Sequence, residues 1–153
     1  MGRTPARAVL LTVAALAALC CSSCQGGKRY YPVRGRVLVN GKPAAGVSVV
    51  FYLVDDPDPK PVLPSAIVQA DGSFELKSYV AQERALKDGA PAGPYKVSCV
   101  WYPPDLQKYL NAGAALPDKL QGKYSDPKTS GLRADVLEQP TELPPFELTA
   151  PAK

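Results

Sequence analysis

Alternation of hydrophobic and polar residues begins at Tyr31 and predicts strands through most of the chain. In the first run one side carries arginines, and the other side consists of Tyr31, Val33, Gly35, Val37 and Val39. A period of two is typical of a strand with one buried face. Asn40-Gly41 then favours a turn with positive φ. A second strand is predicted over residues 47–53, with Val47, Val49, Phe51 and Leu53 buried.

The middle of the chain continues the pattern less evenly. Asp71-Gly72 predicts a β-hairpin between strands at 65–69 and 73–77, with Phe74 and Leu76 buried. Residues 79–93 are polar and predict a loop with room for one helical turn. A further strand is expected over residues 95–102, and one of its faces carries Tyr95, Val97, Cys99 and Trp101.

The segment from Asp105 to Lys128 is the least regular part of the chain. Asp105 is a candidate N-cap for a short helix ending at Leu110, and the glycines and prolines that follow predict an ordered excursion. Strands over 132–137 and 146–149 complete the pattern. Seven short strands separated by turns indicate an all-β fold, a seven-stranded antiparallel β-sandwich of the immunoglobulin-like kind.

The first 23 residues differ in composition from the rest and predict a cleaved signal peptide. Arg3 and Arg7 precede an apolar stretch over residues 8–19, which is followed by small polar residues. About 12 residues are too few for a transmembrane helix, which needs roughly 20. We therefore expect residues 1–23 to be removed.

The end of this signal, Cys20-Cys21-Ser22-Ser23-Cys24, resembles the lipobox of bacterial lipoproteins. Cys24 follows two small residues, although Cys21 stands where an aliphatic residue is usual. The resemblance implies lipid attachment at Cys24, with Cys21 as the alternative; Cys20 and Cys21 fit the pattern less well. The competing interpretation is an ordinary cleaved signal with incidental cysteines. Residues 24–30 would form the lipidated N-terminus and a polar tether.

Lipid attachment implies membrane anchoring without a transmembrane helix. Each buried methylene contributes about 0.8 kcal/mol, so two or three acyl chains hold a protein on its membrane where one is marginal. By resemblance to other lipoproteins, Gln25 after the cysteine favours the outer membrane, facing the periplasm or the cell surface. With Cys24 acylated, Cys99 is the only other cysteine of the mature chain, and no intramolecular disulfide is expected.

Length and charge limit the range of functions. Residues 24–153 suit one domain, which we place at 31–149 and which buries roughly two-thirds of its unfolded surface. Removal of Arg3 and Arg7 lowers the net charge from +4 to +2. This balance gives no reason to expect a nucleic-acid partner.

Several local motifs resemble the carboxypeptidase regulatory-like domain, a small transthyretin-like (prealbumin-like) sandwich. They are Gly35-Arg36-Val37, Asn40 to Val47, Ala70-Asp71-Gly72-Ser73-Phe74 and Pro91 to Val97. Lys123 to Ser130, together with the lipobox-like start, is similar to a group of small bacterial lipoproteins built from this one domain. The resemblance covers residues 31–149 and implies a fold more than an activity.

The chain contains no histidine, which excludes a Ser-His-Asp triad, a Cys-His pair and a His-ligated zinc. Transthyretin-like hydrolases of hydroxyisourate rely on histidines, so the resemblance does not imply that activity for this chain. Cys99 lies among apolar residues, which raises a thiol pKa and favours a core position over a nucleophile. We expect no catalytic residue and no cofactor.

Two segments are candidates for binding. Asp55, Asp56 and Asp58 offer oxygens to a cation, but they lack the EF-hand spacing, and a solvated turn without metal is the preferred interpretation. Tyr102, Tyr109 and Tyr124 could stack on a sugar or a peptide. The alternative is that these rings fix the segment to the sandwich.

The sequence as a whole favours a non-catalytic, lipid-anchored β-sandwich of the bacterial cell envelope. Its expected partners are the membrane, through the lipid, and an envelope protein or polysaccharide. The alternative function is an accessory carbohydrate- or protein-binding module that uses loop 55–64 and segment 102–128 as its contact surface.

Overall fold

Two β-sheets pack face to face in the computed structural model, which describes residues 28–151. About 40% of the chain is strand and 5% is helix. The elements in order are β1 Val33–Val39, β2 Lys42–Pro43, β3 Ser48–Leu53, β4 Ser65–Ile67, β5 Ser73–Glu75, β6 Lys77–Val80, β7 Ala85–Asp88, β8 Gly93–Val100, α1 Leu106–Asn111, β9 Leu132–Val136, β10 Thr141–Glu142 and β11 Phe146–Leu148. The expected signal peptide and Cys24 lie outside the described residues.

The larger sheet has six strands in the order β7-β6-β4-β3-β8-β9, and all its pairs are antiparallel. Its longest ladder joins β3 to β8, with Phe51 opposite Val97 and Ser48 opposite Val100. In β8, Tyr95, Val97 and Cys99 alternate with Lys96 and Ser98. In β3 the buried Val49 and Phe51 alternate with half-buried residues, as a sheet with one face on the core requires.

The smaller sheet is organised around β1. On one side β1 pairs antiparallel with β5 and β2, and on the other it pairs in parallel with β10 and β11. The turn between β1 and β2 has positive φ at both Asn40 and Gly41, 51° and 75°, as the sequence predicted. Every second residue of β1 from Val33 to Val39 is buried, which confirms the predicted face.

An aromatic cluster joins the two sheets at the centre of the core. The Phe51 ring lies 5.7 Å from Tyr95, 6.3 Å from Phe74 and 6.2 Å from Phe146, measured between centroids. Phe51 and Tyr95 belong to the larger sheet, and Phe74 and Phe146 to the smaller one. The remaining buried core consists mainly of Val33, Val37, Val39, Val47, Val49, Val68, Leu76, Val97, Cys99, Leu120, Val136, Leu143 and Leu148.

Three details of the expected strand pattern were wrong. The described residues form eleven strands instead of seven, partly because β2 and β10 are two-residue strands too short to show a pattern. The sandwich is not purely antiparallel, since β10 and β11 run parallel to β1. The predicted loop at 79–93 contains the end of β6, all of β7 and the start of β8.

The predicted hairpin at Asp71-Gly72 was also wrong, although the turn itself forms. The backbone N–H of Gln69 donates to the carbonyl of Ser73, and Gly72 has a φ of 83°. The two flanking strands, however, separate: β4 pairs with β3 and β6, while β5 pairs with β1. The turn therefore carries the chain from one sheet to the other.

A close approach of the two sheets occurs at Gly89, just after β7. Gly89 has a φ of 88°, and a Cβ atom there would overlap the carbonyl oxygen of Tyr31. Tyr31 and Ala90 exchange backbone hydrogen bonds of 2.9 and 3.0 Å at this point. The absent side chain lets the chain before β1 contact the larger sheet.

The part of the chain that the structure describes contains no helix with the length and hydropathy of a membrane span.

Candidate functional site

Loop 55–64 and segment 102–128, the two candidate binding segments, emerge from opposite ends of the larger sheet. Loop 55–64 follows β3, and segment 102–128 follows β8. Because β3 and β8 are antiparallel over six residues, about 20 Å separates the two exit points. The segments are therefore expected to form two separate surfaces and not one shared contact surface.

Asp118 organises segment 102–128. Its Oδ1 atom accepts hydrogen bonds from the backbone N–H groups of Trp101 and Leu120, both at 2.9 Å, and Oδ2 accepts one from Gly122 at 2.8 Å. The N–H of Lys119 donates in turn to the carbonyl of Trp101. One carboxylate thus ties the end of β8 to residues 118–122. Sequence reasoning missed Asp118, because nothing in its neighbourhood distinguishes it from a solvated loop acid.

Trp101 lies at the same junction. Its indole Nε1–H donates to the carbonyl of Ala45 at 3.0 Å, and the Lys119 ammonium lies 4.5 Å from the ring centroid. The ring is only partly buried, whereas Tyr95, Val97 and Cys99 of the predicted face are fully buried. Trp101 therefore fastens β8 to the loop before β3.

The Tyr124 ring is buried and belongs to the core, with 7% of its surface exposed. Its hydroxyl accepts a hydrogen bond from the Thr149 N–H at 3.1 Å and lies 3.2 Å from the Thr149 hydroxyl. Burial raises the pKa of this hydroxyl, but the hydrogen bonds from Thr149 and Lys123 together lower it below its usual value. In this position the ring fixes the loop to β11 and is not open for stacking.

Tyr102 and Tyr109 lie in more open surroundings. Tyr102 is 37% exposed and Tyr109 is half-buried. The predicted helix is present as α1, and Asp105 stands at its N-cap position but makes no side-chain capping bond. No residue of α1 is buried, and Leu106 and Leu110 are exposed. This end of the molecule presents apolar side chains to solvent.

The acidic loop binds a lysine of its own chain. The Lys28 ammonium lies 3.4 Å from Oδ1 of Asp56 and 3.7 Å from Oδ2 of Asp58. Both carboxylates also accept backbone N–H groups within the loop, from Asp58 and Lys60. In residues 28–151 no group of three or more acidic or cysteine side chains is placed to hold a metal.

Cys99 is fully buried on β8, as its sequence neighbours indicated. Burial raises the pKa of the thiol to about 12, with a smaller contribution from the negative charge of Asp118. Such a thiol stays protonated at neutral pH and is a poor nucleophile. Within the described residues, every buried side-chain nitrogen or oxygen has a hydrogen-bond partner.

A shallow groove of about 160 Å³ crosses the edge between the two sheets, next to two ion pairs. Arg34 contacts Glu75 at 2.9 Å, and Lys77 contacts Asp88 at 2.5 Å. Because each charge has an exposed partner of opposite sign, the groove offers no uncompensated charge to a ligand. Exposed pairs of this kind contribute little to stability.

Comparison with known proteins finds no matching family model, no matching curated protein and no matching solved structure.

Proposed function

We propose that this protein is a non-catalytic, lipid-anchored β-sandwich of the bacterial cell envelope, with a structural or binding role. The observation that carries the proposal is Cys24 at the end of a short apolar signal, directly before the folded domain. An enzyme is disfavoured by the missing histidines and by the protonated, buried state of Cys99. The resemblance to carboxypeptidase regulatory-like domains is part of the same proposal.

Lys28 gives the anchored molecule a direction. Only three residues separate it from Cys24, so its Cα lies within about 14 Å of the lipidated residue. Lys28 contacts Asp56 and Asp58 at the end of the larger sheet where β3 finishes. Lipid at Cys24 would hold this end near the membrane and point segment 102–128 away from it.

Metabolic labelling with palmitate tests the anchor. The full-length chain should incorporate label and partition with membranes, and Cys24→Ser should abolish both, while Cys21→Ser leaves labelling at Cys24 detectable. Label that persists in Cys24→Ser would contradict this attachment site. Absence of label from the unaltered chain would contradict the lipid anchor itself.

The second candidate is an accessory binding module, which the exposure of Tyr102, Leu106 and Leu110 favours. A protein or polysaccharide that contacts this membrane-distal end would cover apolar surface that the domain leaves open. A glycan array probed with the full-length protein in detergent tests the carbohydrate form of this proposal. Binding that is lost in Tyr102→Ala and Tyr109→Ala but kept in Tyr79→Ala, on a different surface, supports it. No bound glycan would argue against it.

A further inference from the structure

β7 is the outermost strand of the larger sheet, and only β6 pairs with it among the described residues. An edge strand presents one row of backbone N–H and C=O groups that its own sheet does not use. β7 contains no proline that would interrupt this row. Its free edge can accept a further strand.

The hydrogen-bonding pattern between β6 and β7 shows which backbone groups of β7 point away from the sheet. The Gly89 N–H donates to the Leu76 carbonyl at 2.7 Å, which marks residues 76 and 89 as a hydrogen-bonded pair in the register of β6 and β7. Such pairs alternate along an antiparallel ladder. Ala85 and Lys87 therefore direct their backbone groups toward β6, and Leu86 directs its N–H and C=O away from the sheet.

Leu86 also presents the most exposed large apolar side chain of the described residues, at 64%. Tyr79 lies directly opposite it on β6 and is 59% exposed. Because hydrogen-bonded pairs alternate along β6 and β7, Tyr79 and Leu86 form a non-hydrogen-bonded pair, whose side chains lie close together. The free edge is thus bordered by an apolar pair on the outer face.

We propose that β7 pairs antiparallel with β7 of a second copy of this chain, about a two-fold axis at Leu86. Hydrogen-bonded pairs form only between residues with outward backbone groups, and an axis at Leu86 meets this condition because it pairs Leu86 with its own counterpart. The two six-stranded sheets then become one continuous sheet. Leu86 and Tyr79 of both copies meet on its outer face.

Charge complementarity supports this register and this partner. With Leu86 on the axis, Asp88 of each copy lies near Arg84 of the other, the exposed turn residue directly before β7. Asp88 then contacts a second cation besides Lys77 of its own chain, and Lys87 faces the small side chain of Ala85. A register centred one residue later would place Lys87 against Lys87, where like charges directly opposite are unfavourable. The strand is therefore complementary to itself in a register that its backbone allows.

Cysteine cross-linking in membranes from cells that express the full-length chain tests the pairing. Cα atoms of a hydrogen-bonded antiparallel pair lie about 5.5 Å apart, within the range of a disulfide. After oxidation with diamide, Leu86→Cys should give a covalent dimer well above the unaltered chain, which supplies the background of the native cysteines.

Two control variants separate pairing from random collision. Ile67→Cys replaces a side chain of equal exposure, 63%, on the same face but away from the edge, and should stay at background. Lys87→Cys should also stay low, since Lys87 faces Ala85 of the other copy and the two cysteines would be about 8 Å apart. Equal cross-linking of all three variants, no Leu86→Cys dimer, or a cross-link to a protein of another size would overturn the proposal.

Charge reversal tests the register without cysteines. Arg84→Asp and Asp88→Arg should each weaken self-association by about tenfold, because each leaves two like-charged contacts across the axis. Coexpression of the two variants with different tags should restore pairing between them, and co-precipitation measures it. Failure of the mixture to recover, or unchanged association of the single variants, would contradict the register.

Discussion

Replacement of Asp118 by alanine should destabilise the domain more than any other change in segment 102–128. The carboxylate accepts three backbone N–H groups, two of which, those of Trp101 and Leu120, are partly buried. A partly buried donor that loses its acceptor costs about 1 to 2 kcal/mol. We therefore expect Asp118→Ala to lower the free energy of unfolding by about 2 to 4 kcal/mol. For a domain of this size, that lowers Tm by about 10 °C.

Trp101, the only tryptophan of the chain, allows the same variant to be followed locally. Its backbone N–H donates to Asp118 and its indole to Ala45, so loosening residues 118–122 should expose the ring further. Fluorescence emission of the folded variant should shift to longer wavelength, and thermal unfolding by circular dichroism gives Tm. Asp118→Asn retains one acceptor oxygen, and its Tm should lie between those of the alanine variant and the unaltered protein.

Asp105→Ala is the matched control. Asp105 is an acid of the same segment, at an N-cap position, but its side chain makes no capping bond. We expect its Tm to stay within about 2 °C of the unaltered protein. If Asp118→Ala is no less stable than Asp105→Ala, or if the tryptophan emission does not move, Asp118 does not organise the segment and the reasoning fails.

Three further predictions concern the core and the junction of the sheets. In urea unfolding, Gly89→Ala should lower the free energy of unfolding by more than about 3 kcal/mol, because the added Cβ overlaps the Tyr31 carbonyl. Gly41→Ala has a similar positive φ but open space around it, and it should lower this free energy by about 1 kcal/mol. Equal losses would refute the close approach. Because burial raises the pKa of Cys99 to about 12, the unfolded chain loses the thiol proton first, and stability should fall from about pH 9 to 12, by up to about 1.4 kcal/mol per pH unit. Urea titrations of Cys99→Ala at pH 8 and 10.5 should show a smaller loss, and an unchanged loss would exclude the thiol as its source. Tyr124→Phe should lower the free energy of unfolding by about 1 kcal/mol, since phenylalanine lacks the hydroxyl that contacts Thr149. Unchanged stability in urea unfolding would show that this contact does not stabilise the domain.

Strand prediction succeeded where hydrophobic side chains face the core at every second position. β1 and β3 show this alternation, and the positive φ values at Asn40 and Gly41 follow from the turn preferences of these residues. β6 reverses the usual chemistry, since Ser78 is buried and Tyr79 is exposed. Ser78 tolerates burial because its hydroxyl donates to the Gly89 carbonyl at 2.6 Å. A pattern of polarity alone could not reveal that strand.

The hairpin at Asp71-Gly72 illustrates a second reason for failure. Local residues determine the turn, but the partner of each flanking strand depends on which sheet offers a free edge. β5 pairs with β1, some 40 residues earlier in the chain, and this choice is invisible in a short window. Propensity therefore predicted the bend and not the pairing.

The candidate binding residues were only partly predictable for a related reason. Aromatic composition singled out Tyr102, Tyr109 and Tyr124, but whether a ring faces the core depends on how the irregular segment folds back. Asp118, which makes three backbone contacts there, has no sequence signature. The pairing of β3 with β8 also separates the two proposed loops, a fact that only the register provides.

The most direct test of the proposed anchor is the intact mass of the mature protein purified from bacterial membranes. We expect a chain that begins at Cys24 and carries a diacylglyceryl group, with or without a third acyl chain, on that residue. A mature chain of unmodified mass, or one that begins elsewhere in the signal region without lipid, would contradict it.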